Sequence, residues 1–220
     1  MTTVLLTGFE PFDGASVNPS WRAVSQARRD WDGTAELHVA ELPVEFARCG
    51  PALAAALDRS RPDLVVAVGQ AGGRPGIALE RIAINIDDAR IPDNAGDQPV
   101  DVPVVVDGPA AYFSTLPVKS CVAELRRTGV PASVSQTAGT FTCNHVFYRL
   151  MHELAGARGV GDDGPGARGG FVHVPFAPEQ VTDGTQPSMP VPVIAAALLT
   201  IVRTSLAVRV DTRLPGGATH

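Results

Sequence analysis

The sequence predicts an α/β fold, with a mostly parallel sheet covered by helices on both faces. Short apolar runs alternate with helix-length segments along the whole chain, which is the pattern of βαβ units. Several runs, "TVLLT", "DLVVAVG" and "GGFVHVPF", are apolar at nearly every position, as strands buried on both faces must be. The chain has 220 residues, enough for one substantial core. No internal repeat or linker divides it, so residues 1–220 read as a single domain.

The elements follow in order. "TVLLT" forms a first strand ended by Gly8. The opening "MTTVLLTGFEPF" has no basic n-region and only a short apolar run, so it reads as that strand and not as a signal peptide. In "GFEPFDGASVNPSW", Asn18 resembles an N-cap and Pro19 stands at the first helical position, which predicts a helix over about 20–29. "AELHVAEL" reads as a second strand and residues 45–60 as an Ala/Leu-rich helix. "DLVVAVG" is a buried strand stopped by "GQAGGRPG", and "IALERIAINID" alternates as another. Gly, Pro and Asn-Ala-Gly punctuate "DNAGDQPVDVPVVVDGP", which predicts a hairpin or an extended excursion. "PVKSCVAELRRTG" is a helix closed by Gly129. "ASVSQTAG" is a strand, "CNHVFYRLMHELAG" a helix, the Gly-rich stretch 156–170 a loop, "GGFVHVPF" a strand and 191–208 the last helix. A flexible tail is expected from about residue 211.

Composition excludes several function classes. Aromatic residues make up only 5% of the chain, so aliphatic side chains must fill the core. The net charge is −5 and no run of Lys and Arg interleaved with aromatics is present, which argues against nucleic acid as a partner. The longest apolar stretch, "VPVIAAALLTIVRTSLAV", is interrupted by Arg203 and falls short of the ~20 residues of a membrane span. Three widely spaced cysteines, Cys49, Cys121 and Cys143, argue against a disulfide scaffold, and without a CxxC or a spaced His pair they predict no metal. A reducing, cytoplasmic setting is expected.

In parallel sheets, ligands bind beyond the carboxyl ends of the strands. Cys143, in "GTFTCNHVFYRL", stands where a turn gives way to a helix. There the helix dipole and free N–H groups favour a thiolate and could hold an oxyanion. A small buried spacer is the alternative, and is the reading kept for Cys49 and Cys121, which fall inside helices. Five histidines compete as the base. His145 is two residues from Cys143 and points to another side of the helix. His173 ends a strand on the edge that should carry the site. Glu80 stands in an apolar setting and needs a partner, with Arg81 or Arg90 as salt-bridge candidates. Asp87 and Asp88 point to opposite faces if extended, so they read as loop-ordering acceptors and not as a dyad. The residues alone thus predict a Cys–His enzyme without a substrate.

Four collinear segments carry a resemblance: "LLTGFEPFDGASVNPSW", "GQAGGRPGIALERIAINIDDARIPDN", "SQTAGTFTCNHVFY" and "GGFVHVPFAPEQ". Together they resemble the pyroglutamyl peptidases over about residues 3–206. The resemblance implies a single-domain three-layer α/β/α sandwich and a cofactor-free cysteine peptidase that removes N-terminal pyroglutamate from peptides. It implies Glu80, Cys143 and His173 as the catalytic residues and a substrate pocket near Phe9 and Phe12. Gln70 would support the pocket wall, Arg90 and Ile91 would lie beside the reacting carbonyl, and Thr142 would line the pocket. It also implies a homo-oligomer, often a tetramer. Asp13 departs from the family pattern, where glycine is common, as does Thr142, where an apolar residue is common. The Gly-rich loop before His173 is long. The rival readings are a catalytically silent homologue that binds pyroglutamyl peptides, and a nucleoside phosphorylase-like enzyme, for which "GQAGGR" is the only phosphate-binding candidate.

Overall fold

Continuous burial organises the centre of the molecule. A computed structural model describes residues 1–156 and 166–217. Strands β1 (Thr3–Phe9), β3 (Leu64–Gln70) and β8 (Arg168–Val174) are almost wholly buried, in keeping with their two-sided apolar sequences. They lie side by side in a six-stranded sheet of order β2-β1-β3-β8-β4-β7, completed by β2 (Glu36–Leu42), β4 (Ile77–Glu80) and β7 (Ala132–Ser135). Four of the five neighbouring pairs are parallel, and β4 runs antiparallel to β8.

Alternation along each strand divides the core in two. Val4, Leu6, Leu64, Val66, Val68, Val172 and Val174 face α1 (Pro19–Asp30), α3 (Val118–Arg127) and α5 (Val191–Ala207). Leu5, Phe9, Val65, Ala67 and Phe171 face α2 (Phe46–Ser60) and α4 (Thr142–Gly156). The result is the three-layer α/β/α sandwich. Each buried Val, Leu or Phe contributes about 1.5–3 kcal/mol relative to exposure.

Local chemistry sets the element ends. Asn18 caps α1, its Oδ1 accepting from the Ser20 N–H at 3.0 Å, with Pro19 at the start of the helix. Arg61, in the left-handed conformation, ends α2. The segment from Asp211, expected as a tail, is tied to α3, where Asp211 accepts from the Lys119 and Ser120 N–H groups at 3.0 and 2.9 Å. Residues 157–165, the middle of the Gly-rich loop, lie outside the described residues.

The single strand read in "IALERIAINID" is two. The Arg81 N–H donates to Ser135 O, and then the chain leaves the sheet. β5 (Ile82–Ile84) pairs antiparallel with β6 (Ala111–Phe113), which was not expected. β4 is buried throughout and β5 at its centre only, yet no Gly, Pro or turn residue marks the break between them in the sequence. The excursion between them is extended and not a hairpin. It is held by Asn85, which accepts from Val105 N–H and donates to Val105 and Gly108 carbonyls, and by a bridge between Asp87 and Val102.

Candidate active site

The site is assembled on the α2/α4 face, where the sheet changes direction. His173, near the end of β8, lies between Gly69 of β3, its parallel register partner, and β4 on the other side. Ala78 is its direct antiparallel partner, which puts Glu80 diagonally across on the same face. The His173 Nδ1–H donates to Glu80 Oε1 at 2.8 Å. Both side chains are buried, Glu80 with no exposure at all. Donation from Nδ1 leaves Nε2 as the ring's free acceptor.

Cys143 approaches from above, as the second residue of α4. His145 N–H donates to Phe141 O to open that helix, so the N–H groups just before it have no intrahelical partner. The sulfur rests on bare backbone. A Cβ built on Gly69 would lie 2.7 Å from Cys143 Sγ and 2.8 Å from Phe171 Cζ. Asn144, beside the cysteine, faces the other way and fastens β5. Its Oδ1 accepts from Ile84 N–H, and its Nδ2 donates to the Ile84 and Ile86 carbonyls at 2.9 and 3.0 Å.

A cavity of about 320 Å³ opens over these groups, bounded by Cys143, His173, Thr142, Phe9, Phe12 and Gln70, with Phe141 and Arg74 also on its wall. The aromatic wall is continuous: Phe12 packs on Phe141 at 6.2 Å, and Phe141 meets Phe46 edge-on at 5.3 Å. The "GFEPF" loop is braced from below. Glu10 accepts from the Val44 N–H and from Asn94 Nδ2, and Asn18 Nδ2 donates to the Glu10 carbonyl. Asp13 has φ +54°, a left-handed conformation that suits glycine and is tolerated by aspartate. Gln70 is held by Gln180, which donates to its side-chain oxygen at 2.9 Å.

Arg90 and Ile91 border a neighbouring cavity of about 750 Å³, which shares Phe12, Gln70 and Gly72 with the first. The guanidinium on the cavity wall beside Cys143 belongs to Arg74, to which the sequence reading gave no role. Its Nη1 donates to Glu80 Oε1 at 2.7 Å. Arg81 and Arg90 were the expected partners of Glu80, but Arg81 donates to Gly216 O instead. The signal for Arg74 was present, since a carboxylate in an apolar strand demands a cation, but its nearness depends on how the Gly-rich turn folds back.

Electrostatics set the resting protonation. Burial lowers the His173 pKa below 6.5, opposed by Glu80 and reinforced by Arg74. Burial pushes the Cys143 thiol up to about 12, with the Glu80 charge adding to the rise and Arg74 countering it. The α4 amides also act against the rise. Burial thus favours the uncharged forms of both groups, against the pull of the helix start toward a thiolate. Cys49 and Cys121 are fully buried, and burial pushes their thiols up to about 12 and 11. His145 pairs with Asp87 at 2.8 Å, away from this cavity. Among the described residues, no group of three or more His, Cys, Asp or Glu side chains could hold a metal ion. No helix among them is long and apolar enough to cross a membrane.

Known proteins share this architecture. A pyrrolidone-carboxylate peptidase of Clavibacter michiganensis is 56% identical over 218 residues, 99% of each chain. That of Streptomyces coelicolor is 53% identical over the full length of both. The crystal structure of Bacillus amyloliquefaciens pyroglutamyl peptidase I superimposes with a TM-score of 0.89 at 44% identity, over 96% of this chain and 100% of that one. The sequence profile described as pyroglutamyl peptidase matches residues 2–208, which takes in every strand and helix of the sandwich and both walls of the cavity. On this full-length agreement of sequence and fold, the chain belongs to the pyroglutamyl peptidase family.

Proposed function

We propose that the chain hydrolyses the amide bond after an N-terminal pyroglutamyl residue, with Cys143 as nucleophile, His173 as proton carrier and Glu80 as the group that orients His173. One observation carries the assignment: the buried Glu80–His173 hydrogen bond ends on a cavity into which the sulfur of Cys143, seated on Gly69, also opens. The pyroglutamyl ring enters between Phe9, Phe12 and Phe141, with Gln70 and Thr142 on the wall. As Sγ attacks the carbonyl carbon, the thiol proton passes to Nε2 of His173. Glu80 stabilises the imidazolium that forms. The free N–H groups at the start of α4 receive the oxyanion. His173 then protonates the leaving amine, and water, activated by the same ring, releases pyroglutamate from the thioester. No cofactor takes part in this sequence.

The peptide beyond the scissile bond extends over the adjacent cavity, past Arg90 and Ile91. The substrates are thus peptides beginning with pyroglutamate. Exposed apolar side chains at Val100, Val106 and Phe113 favour association into the homo-oligomer expected of the family, and the free thiols suit a cytoplasmic setting.

Pre-steady-state release of a chromogenic amine from its pyroglutamyl amide tests the proposal. A burst equal to the enzyme concentration, or a linear trace with a thioester trapped at Cys143, is the expected result. Turnover that survives Cys143→Ser would remove the assignment.

A further inference from the structure

We infer that Arg74 is a positioning residue of the hydrolytic site: by donating to the same Glu80 oxygen that receives His173, it locks carboxylate and imidazole into one arrangement. The inference rests on the catalytic reading above and deepens it, since three residues alone leave the Glu80 charge without a counterion.

Glu80 Oε1 receives Arg74 Nη1 at 2.7 Å and His173 Nδ1 at 2.8 Å. A guanidinium has only donors, so Oε1 carries no proton. Oε2 is buried with no hydrogen-bond partner among the described residues, so a proton placed there would find no acceptor among them. Glu80 is therefore held as a carboxylate in a position with no exposure to water, which is costly unless a cation compensates. Arg74 supplies that charge from the turn between β3 and β4. Its side chain is 30% exposed, and its Nη2 donates to Thr137 O at 3.3 Å, which fixes the fork from a second direction.

The arrangement determines which nitrogen of His173 carries the proton. With Oε1 an obligate acceptor, Nδ1 must donate, and Nε2 stays free for the thiol. Arg74 also shares the Glu80 charge. The charged and titratable groups facing His173 are Glu80 from β4, Arg74 from the β3–β4 turn and Cys143 from α4. Removing the guanidinium leaves the full carboxylate charge to the imidazole and favours its protonated form.

The test is an NMR titration of His173 in histidine-labelled enzyme, assigned through His173→Gln, together with kcat/KM against pH on a pyroglutamyl amide. Arg74→Met is expected to raise the His173 midpoint by about one pH unit and to carry the acidic limb of kcat/KM with it. Arg74→Gln keeps a donor without the charge, gives the same upward shift, and serves should the methionine variant not fold. Arg74→Lys keeps the charge and the wild-type midpoint, with a lower kcat from the lost fork. A midpoint that stays in place or moves down in the neutral variants overturns the role of Arg74. A midpoint that moves up while the kinetic limb does not supports Arg74 and removes His173 from the reaction.

Discussion

Cys143 depends on what lies beneath it as much as on its own sulfur. Gly69→Ala would put a methyl 2.7 Å from Sγ and against the ring of Phe171, with little room for either to yield. We expect kcat to fall by about 10²-fold, as for an ångström of misplacement, while the protein remains folded by circular dichroism. Cys143→Ser is expected to cost on the order of 10³ or more in kcat with an unchanged unfolding curve, because a hydroxyl is a far poorer nucleophile than a thiolate. Accessibility also separates the thiols. Iodoacetamide should label Cys143 in the native enzyme and leave Cys49 and Cys121 untouched, as mass spectrometry of the digested protein would reveal. Equal labelling of all three would contradict the burial of the other two. Glu80→Gln removes the charge that holds up the His173 pKa, so the His173 midpoint should fall still further below 6.5. An NMR midpoint identical to wild type would refute the coupling.

At the scale of elements, the pocket loop and α1 are one mechanical unit. Asn18 accepts from the Ser20 N–H and Oγ–H, donates to Glu10 O, and the same Ser20 hydroxyl accepts from the Phe9 N–H. Asn18→Ala should lower stability by about 1 kcal/mol, the usual cost of a lost cap, and should raise KM because "GFEPF" loses its anchor. Urea unfolding and steady-state kinetics on the same preparation would measure both. This cap was legible, since Asn-Pro at a helix start is local chemistry. The clamp made by Asn144 was not. Its partners Ile84 and Ile86 lie about 60 residues away in sequence, and nothing local in "TCNH" points to them. The split of "IALERIAINID" was hidden for a related reason: no Gly, Pro or turn residue marks where the chain passes from one sheet to the other.

For the whole molecule, acidification should weaken both catalysis and folding through His173. Its pKa is lowered on folding from the ordinary value of 6.5, mainly by burial. Below that value the unfolded chain binds the proton more readily than the native state. Stability is therefore complete above about pH 6.5 and is lost as the pH falls through the window beneath it. On the proposed mechanism, in which the neutral ring is the base, the acidic limb of kcat/KM should also lie below 6.5. His173→Gln should flatten this part of the stability profile in urea titrations at successive pH values. The pocket makes a further demand. A pyroglutamyl ring and a prolyl ring have nearly the same shape, but the proline nitrogen is charged, and a wall that carries Phe9, Phe12 and Phe141 would have to desolvate it. We expect kcat/KM for the pyroglutamyl amide to exceed that for the prolyl amide by about 10⁴. A ratio near unity would contradict this account of the pocket.

By itself the sequence determined the layers and most elements, because burial period, caps and turn residues are local signals. It marked Cys143 by its helix start, His173 by its strand end and Glu80 by an apolar setting that calls for a partner. The tertiary structure decided which of these meet. Strand order places β8 between β3 and β4, and the antiparallel β4 brings Glu80 diagonal to His173 across 93 residues of chain. The same folding selected Arg74 over Arg81 and Arg90 as the cation beside Glu80. These outcomes depend on distances between segments remote in sequence and on the water excluded when they pack. A local pattern cannot specify them, since the same strands in another order would bury the same side chains beside different neighbours.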